Sequence, residues 1–274
     1  MNITVFTSNQ PRHVALIDSL AQVADHVCAI QECNTIFPGQ VADFFARSEV
    51  MQRYFARVLQ AERKVFGPPC FPNNSRGNIR QMPIKMGDLN LLSPADLGDA
   101  MQADLFIVFG ASYIRGELCR ILVERKAINI HMGISPQYRG SSCNFWALYD
   151  DNPHLVGATL HLLSGGLDSG PMICHALPPA DVADGFELGM RAVAAAHQSL
   201  IELIRSNQFN SANHVIPQDR SRQIRYTKNA DFTDAVANEY LARGVIANLS
   251  HRLAARDLNA FVQPYVMKNI RAAA

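Results

Sequence analysis

The stretch Ile128-Asn129-Ile130-His131 predicts a β-strand that carries polar side chains into the loop that follows it. Downstream, Gly166-Leu167-Asp168-Ser169-Gly170 predicts a tight loop between two further strands. An amide, an imidazole and a carboxylate therefore stand where apolar segments give way to loops. These groups suffice to move an acyl group onto an amine. The amide can hold a developing oxyanion, the imidazole can take a proton, and the carboxylate can orient the imidazole.

Strands and helices alternate around this stretch. Residues 2–7 and 26–31 are apolar strands separated by a helical pattern, and Leu105-Phe106-Ile107-Val108-Phe109 is an apolar run typical of a strand buried on both faces. This order predicts an α/β, Rossmann-like fold: a mostly parallel twisted sheet with helices on both faces. The other predicted elements are helices at 39–65, from Ser93, and at 114–124, 142–150 and 184–206, and strands at 127–131, 155–163 and 171–177.

Residues 209–274 differ from the rest of the chain. They are more polar, with a basic stretch from Arg220 to Lys228 and two weak helical patterns after Asp231. We therefore predict a main domain over 1–208 and a small C-terminal appendage over 209–274, for dimerisation or acceptor binding. Residues 67–77, dense in Pro, Gly and Asn, are either a flap over a site or a plain connection.

Composition excludes several classes of protein. The net charge of +1 lacks the basic footprint of a nucleic-acid binder. The sequence has no run of 18 apolar residues, so we predict no membrane span, and its N-terminus lacks the pattern of a signal peptide. Six scattered cysteines without a CxxC pair indicate reduced thiols and a cytoplasmic location, and the nine histidines show no metal-ligand spacing.

Each polar group also has a structural interpretation. Asn129 alone could cap a turn, His131 alone could be a hydrogen-bonded structural histidine, and Asp168 beside glycines could be a turn residue. Their combination favours a site, because parallel strands deliver such groups to one crevice. His161 alternates inside a predicted strand, and we interpret it as structural.

Four motifs resemble the folate-dependent formyltransferases. They are Asn129-Ile130-His131, Pro136-Gln137-Tyr138-Arg139-Gly140, Gly157-Ala158-Thr159-Leu160-His161 and Leu167-Asp168-Ser169-Gly170. The resemblance is strong over roughly 100–180 and weak beyond about 208. Two features depart from the family: Met132-Gly133-Ile134-Ser135 replaces its usual loop after the histidine, and the first loop lacks the glycine-rich phosphate cradle of its purine-pathway members.

The resemblance implies an N-formyltransferase that uses N10-formyltetrahydrofolate as donor and needs no metal. The best match among its members is a sugar N-formyltransferase, a homodimer acting on a dTDP- or GDP-linked amino sugar for bacterial surface polysaccharide (O-antigen, lipopolysaccharide). The implied catalytic residues are Asn129, His131 and Asp168. The implied donor-binding residues are Phe109, Gly110, Tyr113, Ile114, Ser164, Gly165, Gly166 and Leu167. The acceptor-binding candidates are Ser8, Asn9, Arg12, Arg76, Arg80, Tyr138 and Arg139.

Other acceptors and classes stay open at this point. Within the family they are hydroxyornithine and glycinamide ribonucleotide; an initiator methionyl-tRNA acceptor is disfavoured by the near-zero charge and the short, helical tail. Outside it, the chain could be a non-catalytic folate- or nucleotide-binding module, which has no need of all three catalytic groups. A dehydrogenase is excluded because no GxGxxG follows the first strand.

Overall fold

An eight-stranded sheet forms the centre of the protein. The computed structural model describes residues 1–35, 48–207 and 215–267. The order across the sheet is β10-β8-β7-β5-β4-β1-β2-β3, and β6 pairs with β9 in a separate two-stranded ladder. The strands are β1 (Asn2–Thr7), β2 (His26–Cys33), β3 (Ile79–Lys85), β4 (Leu105–Val108), β5 (Ile128–His131), β6 (Tyr138–Gly140), β7 (Ala158–Leu162), β8 (Met172–Leu177), β9 (Arg225–Thr227) and β10 (Tyr265–Val266).

Every pairing in the large sheet is parallel except those of β7, which runs antiparallel to both β5 and β8. Helices cover both faces of the sheet, so the predicted fold class is confirmed. The helices are α1 (Pro11–Ala21), α2 (Glu49–Phe66), α3 (Pro94–Leu97), α4 (Gly116–Glu124), α5 (Cys143–Tyr149), α6 (Gly185–Arg205), α7 (Asp234–Arg243) and α8 (Leu249–Ala254).

Strand alternation divides the core into two apolar layers. In β1, Ile3 and Val5 face α1 and α6, while Phe6 faces the layer that contains α4. Helix α6 packs closely on the sheet because its buried face is rich in alanine. The Asp184 carboxylate caps that helix by accepting hydrogen bonds from the backbone N–H groups of Phe186 and Glu187.

Strand β3 is the largest element that the sequence pattern does not predict. It lies at the edge of the sheet beside β2, and Pro83 sits within it. A proline lacks the N–H that a central strand needs, but an edge strand tolerates it. Of the helix predicted over 39–65, the described part is α2; the earlier residues 36–47 lie outside the described residues.

The loop 67–77 is a plain connection between α2 and β3. Asn73 N–H donates to Asp18 and Arg76 donates to the carbonyl of Ala21, so the loop is held at the C-terminal end of α1. Parallel strands place this end of the helix at the edge of the sheet opposite His131. The interpretation as a flap is therefore wrong.

The C-terminal part of the chain is joined to the rest by strand pairing. β9 pairs with β6, β10 pairs with β8, and Ile216 bridges to Met172. The two helices expected after Asp231 are α7 and α8. The predicted division at 208/209 falls outside the described residues and stays a prediction. None of the helices in the described parts of the chain is long and apolar enough to cross a bilayer.

Candidate active site

Asn129, His131 and Asp168 meet in the folded protein. Asp168 Oδ2 lies 3.3 Å from His131 Nδ1. Asp168 Oδ1 lies 3.4 Å from the side-chain nitrogen of Asn129. The first two residues are two apart in β5, and Asp168 comes from the loop between β7 and β8. The structure thus brings together the three groups that the sequence predicts to act on an acyl group.

Hydrogen-bond partners on both sides fix the ring of His131. Its Nε2 lies 3.0 Å from the backbone carbonyl of Tyr138. A carbonyl can only accept, so Nε2 carries a hydrogen. Its Nδ1 faces the Asp168 carboxylate, which when ionised can also only accept. The Tyr138 carbonyl and the Asp168 carboxylate thus hold the ring in place from both sides.

Asp168 is held ionised. Burial raises the pKa of its carboxyl, but the charge of His131 and the hydrogen bonds around the carboxylate outweigh burial and bring the pKa to about 2. One of these hydrogen bonds comes from the backbone N–H of Gly140, 3.3 Å from Oδ2. Asp168 itself has φ +45°, a left-handed conformation that is uncommon for a residue with a side chain. The loop therefore holds a strained backbone in order to aim this carboxylate.

His161 also belongs to the site, contrary to its interpretation as a structural residue alone. Its Nδ1 lies 2.8 Å from the carbonyl of Leu162, which requires a hydrogen on that nitrogen. Nε2 is then an acceptor, and the Asn129 amide nitrogen lies 2.9 Å from it. His161 thereby orients the Asn129 amide. The pairing of Asn129 with His161 across β5 and β7 brings them together, and no spacing within the sequence reveals that pairing.

Two cavities meet at these side chains. The central cavity, of about 510 Å³, is lined by residues that include Ser8, Arg12, Phe109 and Gly110 together with all three predicted catalytic residues. The loop cavity, of about 730 Å³, lies on the other side of Asn129 and Asp168 and is lined by both of them and by His161. Each is large enough for a ligand of ordinary metabolite size. The catalytic groups thus lie between two binding spaces.

The predicted donor-binding residues surround these cavities. Phe109 and Gly110 line the central cavity. The Tyr113 hydroxyl donates a hydrogen bond to the carbonyl of Gly165, 2.7 Å away. The remaining residues line the loop cavity, namely Tyr113, Ile114, Ser164, Gly166 and Leu167. Their binding role stays a prediction.

Of the predicted acceptor-binding residues, Ser8 and Arg12 line the central cavity, and Asn9 follows Ser8 just before α1. The Ser8 hydroxyl donates to the carbonyl of Glu32, and the Asn9 amide donates to that of Thr35, so both side chains hold the end of β2. Arg12 lines the cavity, with its guanidinium 2.8 Å from the buried carboxylate of Glu62.

The N-terminus of α1 already has an anion. The Glu62 carboxylate also accepts the backbone N–H of Arg12, 3.1 Å away. Pro11 has no N–H, and the N–H of His13 donates to Gln10. This helix end is therefore not free to hold a phosphate, because a carboxylate of the chain takes the position that a helix N-terminus offers to an anion.

Arg76 and Arg80 do not reach the site, and their prediction as acceptor ligands is corrected. Arg80 is the second residue of β3 and pairs in register with Cys28 near the start of β2. A parallel strand begins at the edge of the sheet opposite its carboxyl end, so Arg80 lies far from His131 and near Asp99. Arg76 lies at the same edge, bound to the end of α1.

The side chains of Tyr138 and Arg139 are near the site but turned away from it, so their prediction as acceptor-binding residues is also corrected. The Tyr138 ring is buried in the core and its hydroxyl donates to Asp150; only its backbone carbonyl meets His131. The Arg139 guanidinium donates to the carbonyls of Leu167 and Asp168. It therefore holds the Asp168 loop instead of facing a cavity.

The C-terminal part of the chain clamps the same loop, a contact that the sequence does not reveal. The side-chain amide of Gln218 donates to the carbonyls of Asp168 and Gly170, each at 2.8 Å. Gln223 accepts from Arg139. Gly140 lets β9 approach, because a Cβ at its φ of +90° would lie 2.0 Å from the carbonyl oxygen of Thr227.

Replacing Gln218 with glutamate should lower turnover about 10-fold. A carboxylate cannot donate to the two loop carbonyls. The Asp168 carbonyl keeps its bond from Arg139, but the Gly170 carbonyl loses the donor that Gln218 supplies, and such a loss costs about 1–3 kcal/mol. The matched control is Gln223→Glu, which still accepts from Arg139 and should keep its activity within about 2-fold. Steady-state kinetics with thermal unfolding as a folding check measures both. Equal activity in the two variants would show that the clamp does not position Asp168.

The sequence family described as formyl transferase matches residues 92–204, the segment that carries all three residues. This part of the chain is a formyl transferase domain. It contains β4, β5, the β7–β8 loop and most of α6.

Curated relatives match the same region. The methionyl-tRNA formyltransferase of Thermosynechococcus vestitus is 29% identical over 147 residues, 47% of this chain and 44% of that protein. The enzyme of the same name from Trichormus variabilis is 29% identical over 122 residues, 44% of this chain and 36% of that protein. The chain thus spans less than half the length of these two relatives.

Solved structures share the fold around the formyl transferase domain. A 4-N formyltransferase from Francisella tularensis matches with a TM-score of 0.52 at 17% identity, over 84% of this chain and 77% of that one. An N-formyltransferase from Helicobacter canadensis, in complex with folinic acid and dTDP-3-aminofucose, matches with a TM-score of 0.50 at 16% identity, over 86% and 78%. At such identities the likeness establishes the fold.

Proposed function

We propose that this protein transfers a formyl group from N10-formyltetrahydrofolate to the primary amine of a nucleotide-linked amino sugar, in the assembly of bacterial surface polysaccharide such as O-antigen. One observation carries the proposal. Asn129, His131 and the ionised Asp168 converge where two cavities meet, so a donor and an acceptor can each occupy one side and react between them. A formyl transferase domain built around these three residues supports formyl transfer.

The loop cavity suits the donor. It is lined by five of the eight residues that the family resemblance implies for folate, and its volume fits a ligand of that class. Glycines in its loop expose backbone N–H and C=O groups that can meet the polar edge of a pterin. When bound, the donor supplies the formyl carbon that the acceptor amine attacks.

The chain's own groups then stabilise charge and move a proton. Asn129 holds one amide N–H in a long contact with Asp168, which a formyl oxygen can replace. His131, fixed beside Asp168, is placed to stabilise the oxygen on which negative charge develops. Asp168, which keeps its charge at neutral pH, accepts the proton that the attacking amine loses, directly or through water. The leaving nitrogen of the donor takes up a proton as the new amide forms.

A nucleotide sugar is the acceptor that the wider likeness supports. The Helicobacter canadensis protein was crystallised with a dTDP-linked amino sugar, and it shares its fold with 86% of this chain. Arg12 lines the central cavity, and we take it to meet the diphosphate of dTDP or GDP while its guanidinium also binds Glu62.

The sequence matches favour a second acceptor, methionyl-tRNA, because the curated relatives quoted above carry that name. The net charge of +1 opposes it, since a tRNA-binding protein neutralises many phosphates with lysine and arginine. A charged initiator tRNA in the same assay separates the two acceptors.

Incubation with N10-formyltetrahydrofolate and a panel of dTDP-, GDP- and UDP-linked amino sugars tests the proposal. We expect one or more sugars to gain the mass of one CO unit, measured by mass spectrometry. The control is the same panel with Asp168→Asn, which should give no product above background. Binding of the donor without transfer to any amine would instead indicate a non-catalytic folate-binding module.

A further inference from the structure

A third cavity opens beside the catalytic residues and is lined mainly by apolar and aromatic side chains. It has a volume of about 360 Å³ and adjoins His131 and Gly140. Helices α2, α5 and α6 and the C-terminal residues surround it. Six aromatic side chains line this aromatic cavity: Tyr54, Phe55, Phe145, Phe186, Phe232 and Tyr240.

The aromatic cavity offers burial and little charge. Apart from His131, its one charged lining residue among those described is Arg12, already paired with Glu62. Burial raises the pKa of the Tyr54 hydroxyl, and that of Tyr240 to about 12, so both stay neutral. A space of this kind favours an apolar group and disfavours a phosphate or a charged sugar substituent.

Gly189 keeps this space open. It lies within α6 and lines the aromatic cavity. Glycine inside a helix is destabilising relative to alanine. The backbone does not require glycine here, because φ is not positive. Packing does not require it either, because a Cβ at this position would meet no atom within 4 Å. The position therefore has room for a larger side chain, and glycine leaves that volume unfilled.

We infer that the aromatic cavity is an acceptor subsite that takes an apolar substituent carried close to the reacting amine. The inference rests on the proposed function, since the amine must reach His131. The aromatic and central cavities share Arg12, His131, Met132 and Gly140 among their walls. An acceptor can therefore place its amine at His131, its apolar group among the aromatic rings, and its charged remainder toward Arg12.

Two small primary amines test this subsite directly. Glycinamide and L-leucinamide differ only in an isobutyl group next to the amine. With N10-formyltetrahydrofolate as donor, we expect the wild-type protein to formylate leucinamide with a kcat/KM about 10-fold to 100-fold higher, because the isobutyl group is buried on binding. Quantitative mass spectrometry of the two formamides gives the ratio.

Gly189→Leu fills the subsite with a side chain of the same size. Its leucinamide-to-glycinamide ratio should fall to within about 3-fold of one, and Gly189→Ala, which adds only a methyl group, should lie between this variant and the wild type. Arg205→Leu, on the exposed end of the same helix, is the matched control and should keep the wild-type ratio. Binding of 5-formyltetrahydrofolate by Gly189→Leu checks that the variant is folded.

Leucinamide that reacts no faster than glycinamide in the wild-type protein overturns the inference, including the case in which neither reacts. A leucinamide-to-glycinamide ratio that stays at the wild-type value in Gly189→Leu also overturns the inference. Either result leaves the proposed function standing if a nucleotide-linked amino sugar is formylated. If no amine of any kind is formylated, the proposed function fails as well.

Discussion

His131→Ala should lower kcat of formyl transfer by about 10³-fold or more, and Asn129→Ala and Asp168→Ala should act similarly. Removing the imidazole deletes a polar group buried beside the developing oxyanion and leaves the Asp168 carboxylate without its partner. The three effects should not add, because the groups act as one unit. Single-turnover assays with the acceptor found in the panel measure the loss.

A control and a pH comparison sharpen this expectation. His154→Ala, at an exposed histidine away from the site, should retain wild-type activity. The pKa of Asp168 is about 2, so its carboxylate is ionised throughout the neutral range. The loss caused by Asp168→Asn should therefore be the same at pH 6 and at pH 8. Near-normal turnover in His131→Ala would end the proposed mechanism.

Mild acid should destabilise the protein strongly, through buried histidines other than His131. Burial lowers the pKa of His175 to about 4 and that of His197 to about 3, and it lowers the pKa of His13 as well. The hydrogen-bond partners of His175 explain why it is neutral. Its Nε2 faces the carbonyl of Ser135, and its Nδ1 accepts a hydrogen bond from the backbone N–H of Val262. A proton on Nδ1 would break that second bond.

The direction of this pH effect follows from the difference in proton binding between the unfolded and the folded protein. The unfolded chain takes up protons below the ordinary histidine pKa of about 6.5, while the folded protein does not, so stability is lost as pH falls through this range. The loss is about 1.4 kcal/mol per pH unit for each histidine. At pH 5, His175 and His197 together should cost about 4 kcal/mol, a large part of a typical folding free energy of about 5–15 kcal/mol.

Urea unfolding at pH 7.5 and pH 5 measures this loss. The informative variant is His197→Phe, because His197 packs against the rings of Phe66 and Phe109, and its Nε2 makes no hydrogen bond to the residues that the structure describes. We expect this variant to be about 2 kcal/mol more stable than the wild type at pH 5 and to differ less at pH 7.5. His251→Asn, on the surface, should leave the pH dependence unchanged. A wild-type stability equal at the two pH values would contradict the assignment.

The sequence alone determined the layered α/β fold and the identity of the three central residues. Hydrophobic periodicity is a local property, so it can be read from neighbouring residues, and it located most strands and helices within a few positions. Polar residues at strand ends pointed to Asn129 and His131 because parallel strands gather their ends along one edge of a sheet. Asp168 could be predicted from its place in a tight loop near that edge.

Contacts between distant segments were decided by tertiary structure. His161 faces Asn129 because β7 pairs with β5 in one register, and Gln218 reaches Asp168 from 50 residues away. Arg76 and Arg80 have the charge that suits a diphosphate, yet strand direction carries them to the opposite edge. Charge and residue type are written in the sequence, but which edge or cavity a side chain meets depends on packing between elements. The aromatic cavity, assembled from three helices and the C-terminal residues, exists only at that level.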